Sequence, residues 1–261
     1  LYFNYILPNE NSFKADLVII ATKYDGLSDV IKNMKNFIQA DTVILALLNG
    51  VTSEKIIAET YGREKLLYSY FIGHSAVRTG RFVTHDDVNT IVYGSENSDD
   101  FENVQRVKKY FDLVGINYKI PDDIIHSLWL KFMLNVAANQ STAILRLTFG
   151  EMLANEKCME FAINIMKEVQ QIAKAEGVKN TDIMIDETIA HLHTMIPDGK
   201  TSMLQDVEAG RKTEVDMFAG TVIKLGLKHN IQTPYNQIIE EILDAIYQNE
   251  IIKNSQILTK V

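Results

Sequence analysis

Up to about residue 120 the chain alternates short β-rich apolar runs with polar stretches of helical spacing. "DLVIIAT" (16–22) and "TVILALL" (42–48) are continuous apolar runs, the pattern of strands buried on both faces. Between them Leu27, Val30, Ile31, Met34 and Ile38 recur at helical spacing, so the three pieces predict a parallel βαβ unit. "LLYSYFIG", "TIVYG" and "NYKI" are further predicted strands, with a helix over "DFENVQRVKKYFDLVG". After "PDDI" (121–124) the strand pattern stops. Helical periodicity runs through "HSLWLKFMLNVAANQSTAILRLTFGEML", "EKCMEFAINIMKEVQQIAKAEG", "TDIMIDETIAHLHTMI", "SMLQDVEAGRKTEVDMFAGTVIKLGLKHN" and "YNQIIEEILDAIYQNEII". Gly177, Pro197, Gly199 and Pro234 supply stop and start signals between them. The pattern predicts two domains, an α/β domain over 1–120 and an all-helical domain over 121–261.

Within the first helical stretch, Lys131, Asn135 and Asn139 interrupt an otherwise apolar helix at intervals of four, so they stack on one face. Each would cost roughly 1–3 kcal/mol if buried without a partner. Two arrangements avoid that cost: a stripe facing solvent, with Lys131 snorkelling from the core, or one wall of a cleft. Further on, Ser202 and Gln205 fit a capping box, so a helix is expected to begin near Ser202, with free N–H groups that suit a carboxylate or phosphate. Glu214 follows three turns later on what reads as the same helix; by themselves these residues describe an ordinary cap and a solvated face. In the α/β half, Lys23 follows the first strand run and Asn49-Gly50 the second. Ligands of open parallel sheets collect at such carboxyl ends, although Asn-Gly is also a frequent turn dipeptide.

Charge and composition narrow the partners. A net charge of −8 with no basic stripe argues against nucleic acid, and no apolar run is long enough to span a bilayer. The single cysteine, Cys158, forms no intrachain disulfide, and no basic-then-apolar leader is present, so a cytoplasmic location is expected. His191 and His193 are spaced onto different helix faces, and no metal site is expected. No two of the thirteen glycines lie within two positions of each other, so G-x-G-x-x-G is absent, as are the Walker loop and G-x-S-x-G.

In this order, "DLVIIATKY", "LLNGV", "LWLKFMLNVAANQSTA" and "TSMLQDVEAGRKTEVD" resemble ketopantoate reductase (2-dehydropantoate 2-reductase). The resemblance runs from about Asp16 to the last helix. It implies a Rossmann-like NADP-binding domain, here partial, followed by a helical substrate-binding and dimerisation domain resembling the 6-phosphogluconate dehydrogenase C-terminal type. It implies NADPH-dependent reduction of ketopantoate to pantoate, on the route to pantothenate and coenzyme A, in a cleft between the domains of a homodimer. By position, Lys131 resembles the catalytic general acid, Glu214 the acid that engages it, Asn135 and Asn139 the substrate-orienting amides, and Ser202 the hydroxyl for the substrate's acid end. Lys23 and Asn49 match cofactor-edge positions.

Two departures stand out. The family's first strand and glycine-rich loop belong upstream of residue 16, where this chain reads only "LYFNYILPNENSFKA". Weak or absent NADPH binding by this chain and an exposed sheet edge are therefore expected. Phe149 stands in a stretch where the family often has another substrate-binding Asn, which admits a bulkier or more apolar 2-oxo acid. A non-catalytic helical dimer that keeps only the acid pocket is the alternative of a different class.

Overall fold

A computed structural model of the chain describes residues 4–10, 13–73, 76–79, 81–85, 89–97 and 100–258. The chain divides into two compact units, Leu1–Leu128 and Trp129–Val261. The division falls inside a helix.

The first unit is built on a sheet of β1 (Leu17–Ile20), β2 (Val43–Ala46), β3 (Leu66–Gly73), β6 (Asn89–Gly94) and β7 (Tyr118–Lys119), in the order β1-β2-β3-β6-β7. β1, β2 and β3 run parallel, β3 and β6 antiparallel, β6 and β7 parallel. β4 (Ala76–Thr79) and β5 (Phe82–His85) form a separate hairpin that the sequence pattern does not anticipate. The helices are α1 (Leu27–Asn33), α2 (Ser53–Tyr61), likewise unanticipated, and α3 (Phe101–Val114). Strand alternation sorts the core. Ile44 and Ala46 point to one face, where they join Leu27 and Ile31 of α1 and Ile57 of α2. Val43 and Leu45 point to the other, onto Val104, Val107 and Phe111 of α3. Both faces of β2 are thus covered, which is why its run is continuously apolar; burying a side chain such as Ile44 contributes roughly 1.5–3 kcal/mol. Among the described residues β1 lies at the sheet's edge.

One carboxyl group sits inside this unit. Glu54 of α2 is 3% exposed, accepting from Ser53 Oγ at 2.9 Å and more loosely from Ser69 N at 3.4 Å. Burial pushes its pKa from 4.5 up to about 7, against the opposing pull of these hydrogen bonds and of Arg63. Because the folded value is raised, the group's contribution to stability is full below about pH 4.5 and is lost as pH rises through about 7. Glu54→Gln is therefore expected to gain on the order of 3 kcal/mol over the parent at pH 8 and almost nothing at pH 4. Urea titrations at the two pH values check this; a pH-independent difference between the proteins would contradict it.

The second unit is helical: α4 (Ile124–Leu134, which begins in the first unit), α5 (Gln140–Leu145), α6 (Phe149–Ala154), α7 (Glu156–Ala175), α8 (Met184–Leu192), α9 (Ser202–Glu208), α10 (Val215–His229) and α11 (Pro234–Leu258). α4 runs into α5 through a π-turn over Asn135–Asn139, and every residue from Asn135 to Ala143 is buried. α7, α9 and α10 pack around this turn. Two of the predicted long helices are interrupted. The first breaks at Arg146, whose φ of 56° is left-handed, and restarts at Thr148, which forms a capping box with Glu151. The other breaks at Gly210 (φ 65°), a conformation glycine adopts without strain, so Glu214 begins a new helix rather than continuing α9. Among the described residues no helix is long and apolar enough to cross a membrane.

Candidate active site

The polar face of the central helix is inside the second unit, not along its surface. Asn135 and Asn139 are 7% and 8% exposed, and Asn139 Nδ2 reaches Asn135 Oδ1 at 3.5 Å, so the π-turn keeps the two amides stacked. That leaves Asn135 Nδ2 as a buried donor with no hydrogen-bond partner among the described residues. Such a group costs roughly 1–3 kcal/mol, which a structural asparagine would avoid by finding an acceptor. Ser141 Oγ is in the same condition on the same helix.

One turn before Asn135, Lys131 is mostly withdrawn from water, with part of its surface accessible. Burial draws its pKa from 10.5 down to about 8, and the Glu214 carboxylate opposes that shift. Glu214 is half-buried at the start of α10. Its backbone carbonyl accepts from Met217 N and Phe218 N at 3.0 and 3.1 Å, while its side chain makes no capping bond. The charge of that carboxylate acts on Lys131.

Ser202 is exposed at the first position of α9 and is not the cap. Thr201 takes that role, accepting from Leu204 N at 3.1 Å, and its hydroxyl meets Thr142 Oγ1 at 2.8 Å. The spacing of Ser202 to Gln205 points to Ser202 as the cap, and the structure corrects this to Thr201, whose neighbouring hydroxyl competes for the same N–H groups. The Thr142 contact brings the start of α9, and with it Ser202, against the helix that carries Asn139. Nearby, Phe149 N donates to Gly199 O at 3.1 Å, and the Phe149 ring lies against Gly199 so closely that a side chain there would touch it.

The two remaining predicted residues belong to the first unit. β1 and β2 end level, Ile20 beside Ala46, and Leu47 N donates to Ile20 O at 2.8 Å. Lys23 is exposed just past the first end and Asn49 half-buried just past the second, where Gly50 turns the chain with φ 94°. No glycine-rich phosphate loop occurs in the sequence. Both residues stand at the carboxyl ends of parallel strands, where ligands of open sheets collect. Among the described residues no group of three or more His, Cys, Asp or Glu could hold a metal ion.

Comparison with known proteins identifies the family. The family model "Ketopantoate reductase PanE/ApbA" matches residues 2–98, and the model of the C-terminal part of the same family matches residues 123–247. The 2-dehydropantoate 2-reductase of Streptococcus pyogenes serotype M3 is 26% identical over 239 residues, 91% of this chain and 78% of that protein. Among solved structures, a D-mandelate dehydrogenase with NADH and anilino(oxo)acetate superposes with a TM-score of 0.82 at 22% identity, covering 91% of this chain and 78% of the other. The dimeric ketopantoate reductase from Staphylococcus aureus gives 0.75 at 23%, covering 91% and 79%. These two share a fold with this chain, a Rossmann-like N-terminal part and a helical C-terminal part. With both parts of the family model matched in order along most of the sequence, the chain belongs to the ketopantoate reductase family.

Proposed function

We propose that the protein reduces a 2-oxo acid at the Lys131 face, with ketopantoate the favoured substrate, pantoate the product, and NADPH the reductant. The observation that carries this reading is Lys131 itself. It is a partly accessible amine whose pKa of about 8 leaves it protonated at neutral pH yet ready to give the proton up. A bound nicotinamide cofactor supplies the hydride. Lys131 Nζ gives a proton to the substrate's carbonyl oxygen, and its charge stabilises the alkoxide as it forms. Glu214 keeps the amine charged despite its burial. Asn135 Nδ2 offers the substrate a donor that has no partner among the described residues, Asn139 holds the Asn135 amide, and the Ser202 hydroxyl takes the carboxylate. Lys23 and Asn49 hold the cofactor's edge. A cytoplasmic homodimer completes the proposal; the S. aureus relative is dimeric, and a buried free thiol at Cys158 suits a reducing compartment.

A second reading is supported by Phe149, an aromatic ring beside the loop that leads to Ser202. An aryl 2-oxo acid would stack there, and the D-mandelate dehydrogenase relative holds NADH with anilino(oxo)acetate. Steady-state reduction of ketopantoate and of an aryl 2-oxo acid, each with NADPH and NADH, separates the readings. Ketopantoate with NADPH is expected to give the highest kcat/KM. Preference for the aryl acid with NADH would favour the second, and no turnover in any arm with the cofactor at saturation would overturn both.

A further inference from the structure

The π-turn that follows Asn135 is tied to the rest of the helical unit by a buried amide chain that the sequence pattern does not single out. Gln140 and Asn236 are 0% exposed and Glu168 is 6% exposed. Gln140 Nε2 donates to Val136 O, inside the π-turn, at 2.8 Å and to Asn236 Oδ1 at 3.3 Å, while Gln140 Oε1 accepts from Ala219 N of α10 at 3.1 Å. Asn236 Nδ2 in turn donates to Glu168 Oε2 at 2.7 Å. The Glu168 carboxylate also accepts Tyr235 N at 2.8 Å and Asn236 N at 3.2 Å, at the start of α11. Pro234 opens that helix without an N–H, so these are its first available donors, and a negative charge there suits the helix dipole.

A π-turn displaces the helical hydrogen-bond ladder and persists only where its surroundings support it. Here the support comes from one side chain that grips a carbonyl of the turn and, at its other end, the helix that Glu214 begins. Lys131 stands just before the turn, and Glu214 just before α10. A shift of the turn against α10 would change how amine and carboxylate face each other. We propose that the Gln140–Asn236–Glu168 chain is a positioning device that fixes the π-turn against α10 and so sets the geometry of Lys131 and Glu214. Gln140 is a positioning residue, not a catalytic one. Its effect on turnover rests on the reductase reading given above; its effect on Lys131 does not.

Gln140→Met keeps volume and removes all three bonds. The experiment compares it with Gln170→Met, which removes an unrelated amide bond, from Gln170 Nε2 to Thr181 O at 2.8 Å. Two readouts are taken on the whole protein: kcat and KM for ketopantoate, and titration of the Lys131 amine by NMR in ligand-free protein, assigned by its loss in Lys131→Met. Gln140→Met is expected to lower kcat about tenfold or more with KM within about twofold, and to move the Lys131 titration by about half a pH unit or more. Gln170→Met is expected to lower Tm without moving either. If Gln140→Met lowers Tm but leaves kcat and the Lys131 titration at parental values, the chain is structural only and the inference is overturned. If the parent reduces no 2-oxo acid, the functional reading fails while the NMR titration still decides this one. Should Gln140→Met not fold, Asn236→Ala cuts the outer link and keeps Gln140 bonded to Val136 and Ala219; it is judged by the same two readouts.

Discussion

Lys131→Ala is expected to lower kcat/KM for the 2-oxo acid by about a thousandfold, the combined loss of a proton donor and of a charge beside the nascent alkoxide. The parent's reduction should depend on the protonated amine, so kcat/KM should hold below pH 8 and fall as pH rises through about 8. Stability should respond with the opposite sense. The folded pKa lies below the ordinary 10.5, so the folded protein binds fewer protons between about pH 8 and 10.5 and gains stability across that window. Below it, the buried charge is a standing cost. Lys131→Met should therefore be as stable as the parent at pH 7 or more so, by on the order of 1–3 kcal/mol after allowance for partial solvent access. Thermal melts alongside kinetics read both effects. A lysine that merely covered the core would give neither the activity loss nor the stability gain.

Asn135→Leu carries the second large effect. A buried asparagine with satisfied bonds costs roughly 1–3 kcal/mol to replace. Asn135 Nδ2 has no partner among the described residues, and its oxygen receives only the long bond from Asn139. The substitution should leave stability within about 1 kcal/mol of the parent, while the substrate loses a donor worth about 10- to 100-fold in KM. The result that would sink this assignment is a loss above about 2 kcal/mol with KM unchanged; Asn135 would then be a structural residue.

The two effects share a cause that was partly visible in the sequence. The apolar runs of β1 and β2 announce a sheet covered on both faces, and the helical spacing between them announces α1. Lys131, Asn135 and Asn139 stand out because an apolar helix has no local use for them. What the pattern could not show depends on small departures from regularity or on distance along the chain. A π-turn differs too little from the α-helical period to register among nine consecutive buried residues. Arg146 breaks a helix in a conformation that arginine rarely adopts, and Gly210 ends α9 inside a stretch whose apolar spacing continues beyond it. Thr148 and Glu151 have the spacing of a capping box, but the apolar period continues across them and masks the restart after Arg146. Gln140 and Asn236 meet across 96 positions, and nothing near either residue points to the other. Glu54 reads as an ordinary polar position on a helix that the apolar spacing does not reveal.

The central claim is that the Lys131 face of the helical unit binds a 2-oxo acid through a protonated amine. Calorimetric titration of ketopantoate into the parent and into Lys131→Met, each at pH 7 and at pH 9.5, tests it most directly. The account predicts binding by the parent at pH 7, weaker binding at pH 9.5 where the amine has lost its proton, and none by Lys131→Met at either pH. Equal affinity in both proteins, unchanged by pH, would contradict it.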